Sequence, residues 1–223
     1  AASGDAVTLP KIAANYVTKS AGNAKQQRVL TAQLAQVVLF MLTMLLAGMV
    51  LSNLVEEKSN KIIEILAAAI PMDSVFLGKL FAMLAMAFIG IAVWTSVALI
   101  ALSMAGGGIP ALPTPAVGWP LFLVLGVIYF ALAYLMLGSL FLAIGAQAAT
   151  VREVQTLSMP ATMGQLLIFF FATYSVSKIN QPIEQLACIF PLSSPFAMIA
   201  RAAQDDTLWH HLVAIVGQLA FVA

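Results

Sequence analysis

The sequence predicts an all-α, polytopic membrane protein with about five membrane segments, and three observations predict it. Of its 223 residues, 62% are hydrophobic and only 9% charged, whereas about a quarter of a soluble domain is charged. Two stretches, Leu30 to Val55 and Leu80 to Met104, contain no Asp, Glu, Lys or Arg. Each exceeds the roughly 20 residues that a helix needs to cross a hydrocarbon core of about 30 Å. Between them lies the densest run of charge in the chain, Glu56-Glu57-Lys58-Ser59-Asn60-Lys61-Ile62-Ile63-Glu64-Ile65-Leu66, which must sit at a water-facing surface between two spans.

Ala1 to Arg28 is polar and mixed, and too short to form a core alone. The first span, Leu30 to Val55, is interrupted only by Thr31, Gln33, Gln36, Thr43, Ser52 and Asn53. Gln33 and Gln36 lie on one side near its start, where an amide either hydrogen-bonds across helices or lines a pathway. In the charged run, Ile62, Ile65, Leu66 and Ala69 recur at the spacing of one helical face. Glu57 and Lys61 are four apart with the acid first, the favoured order. Pro71 disfavours helix in the residue before it, so a short amphipathic helix should end near Ala69 or Ile70. Asp73 then offers an N-cap for the next span. Such a helix either lies at the lipid interface or is gripped by a cytosolic partner.

The second span is expected over Ser74 to Met104, followed by an uncharged turn-rich loop with Gly106-Gly107-Gly108, Pro110, Pro113 and Pro115. The third is expected over Trp119 to Gln147. There Ala131, Gly138 and Gly145 recur every seven residues, a small-residue stripe that lets another helix approach closely. Ala148 to Met159 forms a second charged turn with Arg152 and Glu153. The fourth span is expected to start at Pro160, a residue suited to a first helical turn, and to run to about Ser177. Lys178 to Trp209 reads as an amphipathic outer segment. Its paired prolines, Pro191 and Pro195, suggest a partly re-entrant helical hairpin from Ile183 to Arg201. The last apolar run, Leu212 to Ala223, is about a dozen residues and cannot span alone. The opening segment lacks the layout of a signal peptide. Material is therefore expected to be missing at both ends.

Chemistry is limited by what is present. One cysteine, Cys188, allows no internal disulfide and no all-cysteine metal site. His210-His211 have no third ligand near them in sequence and are expected at an interface, not on a metal. Gly78-Lys79 is followed by Leu80, with Asp73 where a phosphate loop has its leading glycine. No serine elbow or His-Glu-x-x-His motif occurs, so no catalytic residue is assigned. A proton-coupled secondary transporter usually keeps a titratable group inside the bilayer, and none lies within the predicted spans. Hydroxyl and carbonyl oxygens still leave an ion-coupled carrier open, as is a membrane assembly subunit. The net charge of +1 gives no reason to expect nucleic acid. By the excess of Lys58, Lys61, Lys79 and Arg152 over Lys178 and Arg201, the two charged turns should face the cytosol.

Taken together, Glu56-Glu57-Lys58, Lys61, Ile63-Glu64-Ile65-Leu66, Pro71 and Gly78-Lys79 resemble the signature of permease subunits of type-2 ABC exporters, including the sodium-extrusion and drug-export branches. Glu153-Val154-Gln155 resembles a Glu-Ala-Gln element of that family. Pro191-Leu192-Ser193-Ser194-Pro195 with Arg201 resembles its Pro-Leu-x-x-Pro turn and downstream arginine. The resemblance implies an exporter subunit, not itself an enzyme, in the cell (inner) membrane. It implies that a second permease chain and separate ATPase subunits, which bind ATP and magnesium, complete the transporter; this chain would need no cofactor. Residues 1–29 would be the tail of an extracytoplasmic domain whose preceding span is absent, and residues 30–223 the permease domain. Glu56, Glu57, Lys58, Lys61 and Glu64 would make polar contacts with the ATPase while Ile62, Ile65 and Leu66 seat the helix. Arg152 and Glu153 would add a smaller contact, and Pro191, Pro195 and Arg201 would belong to an outer gate. Ala67-Ala68-Ala69-Ile70 before Pro71 departs from the usual small residue there, which implies a different docking angle.

Overall fold

The computed structural model describes residues 17–59, 71–104, 113–148 and 150–222. Among them are seven helices and no strand: α1 (Val17–Ser59), α2 (Met72–Met104), α3 (Trp119–Gln147), α4 (Val151–Ser175), α5 (Pro182–Ile189), α6 (Ser194–Gln204) and α7 (Trp209–Val222). The first four are long and apolar enough to cross a membrane, while α7, at 14 residues, is shorter. The protein is a polytopic helical membrane protein.

In such a bundle, lipid is as apolar as the core, so packing faces are chosen by side-chain shape and polarity. Helix α1 shows this. Its buried positions, Ala32, Gln36, Leu39, Thr43, Ala47, Val50 and Leu54, follow helical spacing. The opposite face exposes Leu34, Val38, Met41, Leu45 and Met49, which suit hydrocarbon. Helix α3 is the centre, with Tyr129, Tyr134 and Phe141 fully buried. The stripe expected on α3 is a contact face. A Cβ built on Gly138 would stand 2.6 Å from Leu80 Cδ1 of α2, and one on Gly145 2.8 Å from Leu54 Cδ1 of α1. Gly145→Val is therefore expected to lower stability by about 1–3 kcal/mol through overpacking. Thermal unfolding in detergent checks this, with Gly164→Ala as control because nothing lies within 4 Å of that Cβ.

Three expectations change. Helix α4 starts at Val151, not at Pro160, which lies in its interior. Thr150 Oγ1 accepts from the Glu153 amide at 3.2 Å and caps the earlier start. Pro160 leaves the Thr156 carbonyl without its usual amide donor. Helix α2 begins at Met72, with the Ser74 amide donating to the Pro71 carbonyl at 3.1 Å, so Asp73 stands inside the first turn and not at the cap. Helix α6, expected as part of an amphipathic outer segment, is enclosed within the bundle. Every residue from Ser194 to Ala203 is buried, because its small alanines fit it among α1, α3 and α4.

The expected hairpin is present as α5 and α6, joined by a turn in which Ser193 Oγ donates to the Ala187 carbonyl at 2.8 Å. Phe196 of α6 meets Phe40 of α1 and Phe169 of α4 edge-on at 5.8 and 6.1 Å. The segment before α3 closes the other end of α6. The Ala116 amide donates to the Ala203 carbonyl at 2.9 Å and the Val117 amide to the Ala202 carbonyl at 3.3 Å, serving carbonyls that a helix end leaves free. Gly118 then turns into α3 with φ 79°, a conformation that costs little only for glycine. Gly145 beside Leu54 and Ala116 beside Ala203 thus mark opposite ends of the bundle.

Candidate functional site

At the first end, α1 carries Glu57 to Lys79 of α2: Oε1 and Nζ lie 2.5 Å apart, with the lysine side chain 15% exposed. Helix α1 runs on to Ser59, so Glu56, Glu57 and Lys58 form the last turn of the span and not the first turn of a separate helix. An acid at a helix C-terminus opposes the helix dipole; the lysine offsets that penalty and fastens α1 to α2. Asn60 to Ile70, which holds Lys61, Ile62, Glu64, Ile65 and Leu66, lies outside the described residues. Pro71 is exposed at the entry to α2, and Gly78 sits in open space one residue before Lys79. Arg152 and Glu153 are exposed in the first turn of α4. They follow Gly145 closely in sequence and so share this end of the bundle. Glu153 there suits the positive helix N-terminus.

Gln36 is fully buried, and neither its Oε1 nor its Nε2 has a hydrogen-bond partner. Gln33, three residues earlier, is half-buried. The two do not meet the same surroundings.

The opposite end holds a buried ionic cluster. Arg201 of α6 donates from Nη1 to Glu184 Oε1 of α5 at 2.7 Å. Its Nη2 donates to Asn180 Oδ1 at 3.0 Å and to Asp205 Oδ2 at 2.6 Å. The Arg201 and Glu184 side chains are 4% and 3% exposed. Asn180, at φ 64°, also donates its amide to Glu184 Oε2 at 3.2 Å; a left-handed backbone is one that asparagine tolerates. Cys188 Sγ donates to Glu184 Oε1 at 3.3 Å. Burial works against ionised Asp205, but hydrogen bonds from Thr207 and the Arg201 charge outweigh it, holding its carboxyl below the usual range. Pro191 and Pro195 frame the turn between α5 and α6 and make no such polar contact themselves.

Of this cluster the sequence reading named only Arg201. Asn180, Glu184 and Asp205 were missed. The available signal was a lone arginine in an apolar stretch, which requires partners, with Asp205 four residues on and Glu184 the nearest acid upstream. His211, expected at an interface, is buried against Tyr129, whose Oη lies 2.8 Å from Nδ1. Among the described residues no group of His, Cys, Asp and Glu is placed to hold a metal ion.

The chain matches the family described as "ABC-2 family transporter protein" over residues 6–223. It is 26% identical over 167 residues to the uncharacterized protein MJ1024 of Methanocaldococcus jannaschii, covering 74% of this chain and 39% of that relative. The chain thus spans about two fifths of the length of the curated relative it matches. No solved structure matches it. With the match reaching across nearly every residue of the helical bundle described above, the chain belongs to the ABC-2 transporter family.

Proposed function

We propose that this chain is the membrane-spanning permease part of an ATP-driven exporter, of the sodium-extrusion or drug-export kind, in the cell (inner) membrane. Two permease chains pair with two ATPase subunits, which bind the ATP and magnesium. The observation that carries the reading is the Glu57–Lys79 ion pair. It fastens the two helices from which residues 60–70 are slung, so a push on that segment reaches both spans together. Glu56, Glu57, Lys58, Lys61 and Glu64 give the ATPase polar contacts, Ile62, Ile65 and Leu66 seat the segment, and Arg152 with Glu153 supplies a second contact. The α5–α6 hairpin, with Pro191, Pro195 and Arg201, caps the exit.

The test is the double substitution Glu57→Lys/Glu64→Lys in the assembled transporter. Membrane insertion should be unchanged while permease-stimulated ATPase activity falls to its unstimulated level. Stimulation equal to the parent protein rejects the lever.

A further inference from the structure

A cavity of about 360 Å³ lies between α5, α6 and α7, at the end of the bundle away from Glu57 and Lys79. Its size falls within the range of ligand pockets, roughly 300–1,000 Å³, and far exceeds the ~30 Å³ share of one water. Its walls are apolar, and its rim runs into exposed Ile189, Trp209 and Val213. Its floor carries polar atoms with nothing to bind. Arg201 Nε, Gln218 Oε1 and His210 Nδ1 have no hydrogen-bond partner, although Arg201 is 4% and Gln218 1% exposed. Gln218 Nε2 donates to Ser194 Oγ at 2.6 Å. Turning that amide over would only exchange which of its two polar atoms is left over. Leaving such groups unmatched is costly, because they forgo the hydrogen bonds that water gives them.

We infer that this cavity binds an uncharged amphiphile bearing a hydroxyl or amide, drawn from the surrounding lipid leaflet. A hydroxyl both donates and accepts, so it can serve Arg201 Nε, a donor, or whichever amide atom Gln218 presents. Charge decides against a fatty acid or other anion. The Arg201 guanidinium already faces the Glu184 and Asp205 carboxylates, which leaves the cluster formally negative. The rim at Ile189, Trp209 and Val213 opens where an acyl chain can follow the head group in. This site is independent of the ATPase-driven reading, since it needs only the three helices.

The test uses the full-length protein in lipid nanodiscs and three photoreactive probes of equal chain length: a monoacylglycerol, a fatty acid and an alkyltrimethylammonium. Cross-linked peptides are mapped by mass spectrometry. The monoacylglycerol is expected to label α5 and α7 saturably, at least tenfold more than the fatty acid. A butyl-chain analogue that stays in water should label weakly. Gly217→Leu fills the cavity, and a Cβ there meets nothing within 4 Å, so the fold should survive while labelling is lost. Gln218→Leu should reduce labelling about tenfold, and labelling of lipid-facing α2 should stay constant in both variants. Equal, unsaturable labelling by all probes, preference for the fatty acid, the alkyltrimethylammonium or the water-borne analogue, or labelling indifferent to both substitutions would overturn the site.

Discussion

On the proposed exporter reading, Glu57→Lys is expected to cut ATP-driven transport about tenfold, equivalent to roughly 1.4 kcal/mol of lost coupling, and adding Lys79→Glu is expected to recover most of it. The pair is 2.5 Å apart and only partly exposed, and an ion pair so placed contributes about 1 kcal/mol or less, to which reversal adds repulsion. Reversing one partner turns attraction into repulsion at the point where α1 and α2 are fastened. A simple loss of helix stability does not predict the same result. A lysine near the C-terminus of α1 favours the helix dipole, so α1 itself should be no weaker. The double-mutant cycle separates the two effects, because residues in contact show non-additive changes. Transport and stimulated ATPase activity are measured for all four combinations in proteoliposomes. If the double variant is as impaired as the sum of the two singles, the fastening does not transmit the stroke.

What was readable in the sequence follows from which physical signals survive in a membrane. The span expected over Trp119 to Gln147 coincides with α3, which Gly118 precedes and Ala148 ends. Charge-free length placed the end of α2 at Met104, while its start lies at Met72, two residues before the expected Ser74. The face each helix turns inward was less legible, since lipid and core are both apolar. On α1 only Ala32, Gln36, Thr43 and Ala47 distinguish the buried side from Leu34, Val38 and Met41. On α3 the glycines at 138 and 145 gave it away, as small residues must where backbones approach.

The two displaced boundaries have different causes. Pro160 reads as a helix start because proline suits a first turn, yet Thr150 caps the helix earlier, and side-chain hydroxyls stay engaged around the break. Thr162 Oγ1, for instance, donates to the Ser158 carbonyl at 3.0 Å. Glu56 to Lys58 were assigned to a new helix because charge usually ends a span. Here Lys79 from the neighbouring helix lets α1 continue. Lys79 is a tertiary partner that overrides a local rule and is not visible along the chain, whereas Thr150, three residues before Glu153, is a local cap signal that the sequence does carry. The ionic cluster also depends on tertiary folding: Arg201 stands out in the sequence, but Asn180 and Glu184 reach it only because the turn ending at Ser193 folds α6 back onto α5.

The largest loss of stability is expected from Arg201→Leu. Removing the guanidinium strands Glu184, 3% exposed, and the Asp205 carboxylate beside it. Breaking a buried ion pair from one side costs about 3–5 kcal/mol, and at roughly 2–4 °C per kcal/mol for a chain of this size the unfolding midpoint should fall by about 10 °C. Glu184→Gln with Arg201→Gln removes both charges and keeps polar side chains in place, so the double variant should lie well above Arg201→Leu. Acid should expose the same dependence. Because the Asp205 carboxyl is held below its ordinary range, its contribution is complete above the unfolded carboxylate range and is lost as pH falls through the folded one. Asp205→Asn should therefore flatten the acid limb of stability while leaving Glu184 paired. Unfolding midpoints from pH 7 down to about 3, just below the ordinary Asp value near 3.9, measured for parent and variants in one detergent, check both results. A double variant as unstable as Arg201→Leu would mean that the cluster's worth lies in the packing of the arginine stem and not in its charge.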